Sequence, residues 1–159
     1  MKLIIRKGEE KDFPALLKLI QEEALLGGSL DAVKNSLIQM KDEEENIHFF
    51  LAEQNGEAVG MAVYYFAYYT WVGKSIHLDD LYVKQEYRGT GIGTKLLYKI
   101  FEVAKNESSN RLRWEVEEDN VAAQKFYTTL GTTISDKWFN CSFDKGGIDT
   151  FLLRNHKFK

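Results

Sequence analysis

The spacing of apolar residues changes period several times along the chain, and each change predicts an element. Residues 3–7 read as a short strand. From Asp12 onward, Leu16, Leu17, Leu19, Ile20 and Ala24 recur at helical spacing, with Pro14 in the first turn, where its missing N–H leaves no bond unmade. Gly27-Gly28 ends that helix, and Ser29 is expected to cap a second one carrying Leu30, Val33, Leu37 and Met40. The acidic stretch at 41–46 reads as a solvated loop. Residues 47–53 form a strand, Gln54-Asn55-Gly56 a hairpin turn, 58–69 a long aromatic strand and 75–84 another strand. Between 90 and 105, Ile92, Leu96, Leu97, Ile100, Phe101 and Ala104 share one face and Lys95, Lys99 and Glu102 the other, which predicts an amphipathic helix lying on a sheet. Residues 111–117 alternate, with Leu112, Trp114 and Val116 on one side. Residues 120–130 read as a helix stopped by Gly131, and 138–153 as a hairpin turning at Asp144-Lys145-Gly146-Gly147. The order β-α-α-β-β-β-α-β-α-β-β predicts a mixed sheet covered by helices in a single domain spanning 1–159.

Composition narrows the class. The 159 residues suffice for one core, and 44% hydrophobic residues exclude a disordered chain. One cysteine, Cys141, cannot close an internal disulfide. No apolar run approaches the length of a membrane span, and charge follows too soon after Met1 for a signal peptide. A net charge of −3 offers no general attraction to nucleic acid or anionic lipid. The expectation is a soluble cytoplasmic protein with neither nucleic-acid nor membrane partners. His48, His77, His156 and Cys141 lack metal-ligand spacing, so no metal is expected, and His77 reads as packed or hydrogen-bonded rather than catalytic.

The most informative segment is Tyr87-Arg88-Gly89-Thr90-Gly91-Ile92-Gly93-Thr94, between a strand and an amphipathic helix. Three alternate glycines at a helix start each cost about 0.5–1 kcal/mol relative to alanine. Their absent side chains let backbone N–H groups approach a ligand, and a helix N-terminus favours an anion. Together they predict a diphosphate cradle with Arg88 at its mouth. Thr94 stands where both a nucleotide-triphosphate loop and a dinucleotide fingerprint need glycine, so neither pattern fits.

Arg88-Gly89-Thr90-Gly91-Ile92-Gly93 resembles the R/Q-x-x-G-x-G/A acetyl-CoA motif of the GNAT N-acetyltransferases. Tyr64-Tyr65-Phe66-Ala67-Tyr68 with Trp71-Val72-Gly73-Lys74, then Leu78-Asp79-Asp80-Leu81-Tyr82-Val83, and finally Asn120 with Phe126-Tyr127, are similar to the spermidine/spermine (diamine) and thialysine acetyltransferase branch. The resemblance implies an α/β (α+β) fold with a mixed, mostly antiparallel sheet of six to seven strands flanked by about four helices. It implies direct transfer of acetyl from acetyl-CoA to a primary amine of a small cationic acceptor, and a homodimer.

The same resemblance implies site roles. Leu81, Tyr82 and Val83 would pair with the pantetheine arm, the loop from Arg88 through Gly89, Thr90, Gly91, Ile92 and Gly93 to Thr94 would hold the diphosphate, and Asn120 and Ala123 would touch the cofactor again. Tyr127 would protonate the leaving thiolate and Asp79 would draw a proton from the amine. Trp71, Asp80 and Asp136 would bind the acceptor. Several have a plainer reading. Phe126 and Tyr127 could both be core aromatics, with Phe126 the more expected there. Either aspartate could sit in an ion pair, and Asn120 could be a helix cap. Adjacent strand residues point to opposite faces, so Asp79 and Asp80 share a wall only if the strand bulges, as the family's does. Tyr69 stands where the polyamine enzymes carry aspartate, which leaves thialysine-like amino acids, other diamines or a different primary amine open. The alternatives are acetylation of a protein N-terminus or lysine, or a non-catalytic acyl-CoA sensor. Charge divides along the chain: residues 40–83 hold two basic against eight acidic side chains, and residues 84–113 seven basic against three. An anionic cofactor and a cationic acceptor could therefore bind side by side.

Overall fold

The computed structural model describes residues 2–135, 137 and 141–154. The chain divides into two compact units, one ending at Glu115 and one beginning at Val116. No helix among the described residues is long and apolar enough to cross a membrane.

The first unit is a sheet of five strands, β1 (Leu3–Lys7), β2 (His48–Gln54), β3 (Glu57–Tyr69), β4 (Gly73–Val83) and β5 (Arg111–Arg113), hydrogen-bonded in that order. All neighbours are antiparallel except β4 and β5, which run parallel. The parallel pair requires a crossover, and α3 (Ile92–Asn106) supplies it. On one sheet face, Phe13, Leu16 and Leu19 of α1 (Phe13–Leu26) and Met40 of α2 (Leu37–Asp42) pack with Phe49, Leu51, Met61 and Tyr82. On the other face α3 buries Ile92, Leu96, Leu97 and Ile100. Gly60 makes that approach possible: an added Cβ would lie 2.9 Å from the Tyr82 carbonyl and 3.3 Å from Leu96 Cδ1. Arg6 ties β1 to the start of α1, its guanidinium gripping both oxygens of Asp12 at 2.7 Å and Glu53 at 2.5 Å.

The second unit carries α4 (Val121–Thr129) and α5 (Lys145–Arg154). The expected hairpin at 138–153 is corrected here. Asp144 Oδ1 accepts from the Gly147 N–H at 2.7 Å, so the supposed turn residues begin a helix. Among the described residues the sheet accordingly has five strands rather than six to seven, and there are five α-helices rather than about four.

Two further boundaries moved. The helix expected from Ser29 is a single 3-10 turn, Leu30–Ala32. It is Ser36 whose hydroxyl accepts from Gln39 N–H, at 3.2 Å, and caps α2. The strand expected at 111–117 is only three residues long, because its ladder with β4 covers Ser75, Ile76 and His77 and stops there. Phe101, expected on the buried face of α3, is half exposed.

Candidate active site

β4 organises the chemistry of the first unit. Val63 of β3 pairs with Asp80, yet the next residue, Tyr64, pairs with Leu78, so Asp79 has no partner across the ladder. That is a β-bulge, and it meets the condition under which two adjacent carboxylates can share a wall. Asp79 is exposed and Asp80 half-buried. Burial, reinforced by the neighbouring Asp79 charge, pushes the Asp80 carboxyl up to about 6. Beyond His77, among the described residues, no strand pairs with the β5 side of β4. Leu81 and Val83 are half-buried on this stretch and Tyr82 is buried in the core.

The glycine loop follows a 3-10 turn, Gln85–Tyr87. Gly89 and Gly91 adopt φ of +74° and +83°, and a Cβ on either would meet nothing within 4 Å. Both conditions suit a loop whose backbone faces open space. Gly91 is the N-cap of α3 and gives no side-chain bond, so the first N–H groups of the helix, from Ile92 through Gly93 to Thr94, are uncapped by it. Thr90 Oγ1 donates to the Tyr87 carbonyl at 2.6 Å and sets the turn. Arg88 Nε donates to the Val83 carbonyl at 2.9 Å, and its guanidinium lies 5.7 Å from the Tyr82 ring centroid. Arg88 thus ties the loop to the end of β4. A hollow of about 330 Å³ alongside is lined by residues including Glu22, Leu25, Tyr82 and Lys84.

The tyrosines of β3 separate by face. Tyr64 is core, stacked on Phe50, while Tyr68 is largely exposed. Tyr65 and Tyr69 lie on the Met61 face, where Tyr65 stacks on His77 with centroids 4.6 Å apart. Trp71, in the turn between β3 and β4, is 93% exposed. Asp136 lies outside the described residues.

The sequence reading of His77 as packed or hydrogen-bonded named no partners, and the structure supplies them. The buried imidazole lies 3.2 Å through Nδ1 from Tyr69 Oη and 2.9 Å through Nε2 from the Glu115 carboxylate. Arg111 lies over the Tyr69 ring at 4.3 Å, and Arg113 pairs with Glu115 at 3.1 Å. A signal was available. If Leu112, Trp114 and Val116 take one face, then Arg111, Arg113 and Glu115 take the other. What the pattern lacked was the parallel register setting them beside Ser75 and His77.

In the second unit, Asn120 Oδ1 accepts from Ala123 N–H at 3.1 Å, the cap geometry. Gln124 Nε2 donates to the carbonyls of Glu117 and Glu118 and holds the approach to α4. Tyr127 is buried and Phe126 only half-buried, the reverse of the expected ranking.

The sequence model of the acetyltransferase (GNAT) family matches residues 13–132. The chain is 35% identical over 157 residues to thialysine N-epsilon-acetyltransferase of Sus scrofa, covering 89% of this chain and 92% of that protein. It is 34% identical over 138 residues to spermidine/spermine N(1)-acetyltransferase-like protein 1 of Homo sapiens, covering 80% of this chain and 20% of that longer protein. Among solved structures, an integron cassette protein from the mobile metagenome of V. cholerae superposes with a TM-score of 0.77 at 21% identity, covering 95% of this chain and 98% of that one.

Proposed function

This chain belongs to the GNAT acetyltransferase family, and on that premise we propose that it moves the acetyl group of acetyl-CoA directly onto a primary amine of a small cationic acceptor. The carrying observation is the bulge at Asp79, set where the β5 ladder has just ended. A bare strand edge accepts an extended ligand arm as an added strand. The backbone of Leu81, Tyr82 and Val83 would hold the pantetheine there, with one N–H polarising the thioester carbonyl.

The residues of the loop fit the diphosphate. Gly89 and Gly91 leave open space in front of the backbone, and the N-terminus of α3 presents N–H groups to it. Arg88 keeps its remaining guanidinium N–H groups for phosphate while Nε is bound to Val83. Asn120 and Ala123 fit the second contact through the start of α4, with the Asn120 amide oxygen already engaged as a cap. The thioester supplies an activated acyl group, and the protein supplies alignment, which alone is worth about 7–11 kcal/mol.

In this reading Asp79 and Asp80 attract the acceptor ammonium, Asp79 from its exposed position and Asp80 from its half-buried one. Trp71 and Asp136 complete the acceptor side of this reading. By the family resemblance Tyr127 would be the proton donor to the leaving thiolate. We read both compact units as one acetyltransferase domain because the family match runs across their boundary. The relatives' names favour a thialysine-like amino acid or a polyamine as acceptor.

A thiol-release assay across lysine analogues, diamines and polyamines tests the proposal. Turnover with at least one amine is expected. Calorimetric binding of CoA without turnover of any amine would leave a sensor. Tyr127→Phe should lower kcat by about 100-fold, the range of a lost general acid, with CoA affinity nearly unchanged.

A further inference from the structure

Three side chains from three successive segments of the sheet form a continuous hydrogen-bonded chain. Tyr69 closes β3, His77 sits in β4, and Glu115 follows β5. The Glu115 carboxylate can only accept, so Nε2 of His77 carries the hydrogen of the 2.9 Å contact. In a neutral ring Nδ1 is then bare, and the 3.2 Å contact is Tyr69 O–H donating to it. The order is phenol, imidazole, carboxylate, the pattern in which a hydroxyl is prepared to lose its proton inward.

Its surroundings fix its geometry. Tyr65 stacks on the imidazole within 15° of parallel and fixes the ring plane. Arg111 lies 4.3 Å from the Tyr69 centroid and Arg113 5.9 Å, so cations face the ring on which negative charge would develop. Arg111 Nε is buried without a hydrogen-bond partner, so that guanidinium is not spent on a carboxylate through this atom. The titratable and charged groups near His77 are Tyr65 and Tyr69 of β3, Asp79 and Asp80 of its own strand, and Arg111, Arg113 and Glu115. On this face α1 contributes the apolar residues Phe13, Leu16 and Leu19.

On the acetyl-transfer reading the location is that of the proposed acceptor wall. Met61, Val63, Tyr65 and Tyr69 alternate onto one face of β3, and the register sets Asp80 opposite Val63 and His77 opposite Tyr65. The relay and the bulge therefore share one sheet face, His77 lying two residues before Asp79. We infer, resting on the acetyl-transfer reading above, that Tyr69, His77 and Glu115 are a proton relay for the acceptor, with Tyr69 Oη the atom that receives the ammonium proton. In the step an N–H bond of R–NH3+ breaks and its proton bonds to Tyr69 Oη. The proton already on Tyr69 passes to His77 Nδ1, giving an imidazolium held by Glu115. The nitrogen keeps the electron pair with which it attacks the thioester carbonyl. The relay then returns its proton to solvent by the same route. Tyr69 touches the substrate; His77 and Glu115 act through it and are positioning residues.

The test is the pH profile of kcat against acceptor basicity, in wild type and in Tyr69→Phe, His77→Gln and Glu115→Gln. With a strongly basic amine at pH 7, Tyr69→Phe and His77→Gln should each lose about 100-fold in kcat with little change in KM. Glu115→Gln, at a half-exposed position, should lose about tenfold. The losses should shrink toward none with acceptors of low amine pKa, or at a pH where the amine is already neutral. A loss of equal size for every acceptor, or variants that keep the wild-type profile, would overturn the relay. Nitrogen NMR of the His77 ring should find the neutral form protonated on Nε2, and protonation on Nδ1 would also overturn it. A wild type that acetylates no amine at all would instead refute the acetyl-transfer reading, and the relay with it.

Discussion

Replacing Asp80 by asparagine should make the protein both more stable and slower, and the size of the first effect follows from the site. The carboxyl, half-buried beside Asp79, titrates at about 6 instead of its ordinary 3.8. At about 1.4 kcal/mol per pK unit, that difference amounts to about 3 kcal/mol by which folding disfavours the ionised form. Because the folded value is raised, the group's full contribution to stability is present below its unfolded value. It is lost as pH rises through about 6. Asparagine has nearly the same shape and cannot ionise, so the variant should match wild type near pH 4 and exceed it by about 2–3 kcal/mol at pH 8. For a chain of this size that is a rise in Tm of about 6–9 °C. Thermal and urea unfolding at pH 4, 6 and 8 measure it. If Asp80 faces the acceptor as proposed, the same variant gives up a negative charge there, and kcat/KM for a cationic amine should fall by about tenfold or more. A variant no more stable than wild type at pH 8, or a gain that does not change with pH, would refute the reasoning. Either result would mean that the folded protein does not penalise the ionised carboxylate.

Gly91→Ala places a Cβ at φ +83° and should destabilise by about 1–2 kcal/mol, with a weaker CoA affinity by calorimetry as the loop shifts. Leu96→Ala empties a fully buried position between α3 and the sheet and should cost about 2–5 kcal/mol in urea unfolding. Asn120→Ala removes the α4 cap and should cost about 0.5–2 kcal/mol, seen as faster amide exchange at Ala123.

What the sequence made legible was local. The amphipathic period of α3 identified four buried residues, and the glycines before it are placed at the start of that helix, two of them with positive φ. The hairpin at Asn55-Gly56 lies between β2 and β3 as expected. Errors came where two local signals compete. Ser29 and Ser36 both look like caps, and only the second is followed by residues that reach the core, through Met40. Asp144-Lys145-Gly146-Gly147 has the composition of a turn, yet an aspartate three residues before an N–H it can accept is equally a helix start.

The candidate site shows the other boundary of sequence reading. Gly89, Gly91 and the adjacent aspartates are neighbours along the chain, so spacing could single out the loop, and the family resemblance could suggest roles for the aspartates. The relay could not, because Tyr69, His77 and Glu115 meet only through two strand registers, one antiparallel and one parallel. The bulge decides the result. Leaving Asp79 out of the ladder sets Leu78 opposite Tyr64, so His77 falls opposite Tyr65 on the face where Asp80 also lies. In an unbulged strand keeping the Val63–Asp80 pair, His77 would share its side with Asp79 and face away from Asp80. One extra residue thus brings an imidazole and a carboxylate of perturbed acidity to the same wall. No statistic of apolar periodicity contains that information, because the extra residue is itself polar and exposed.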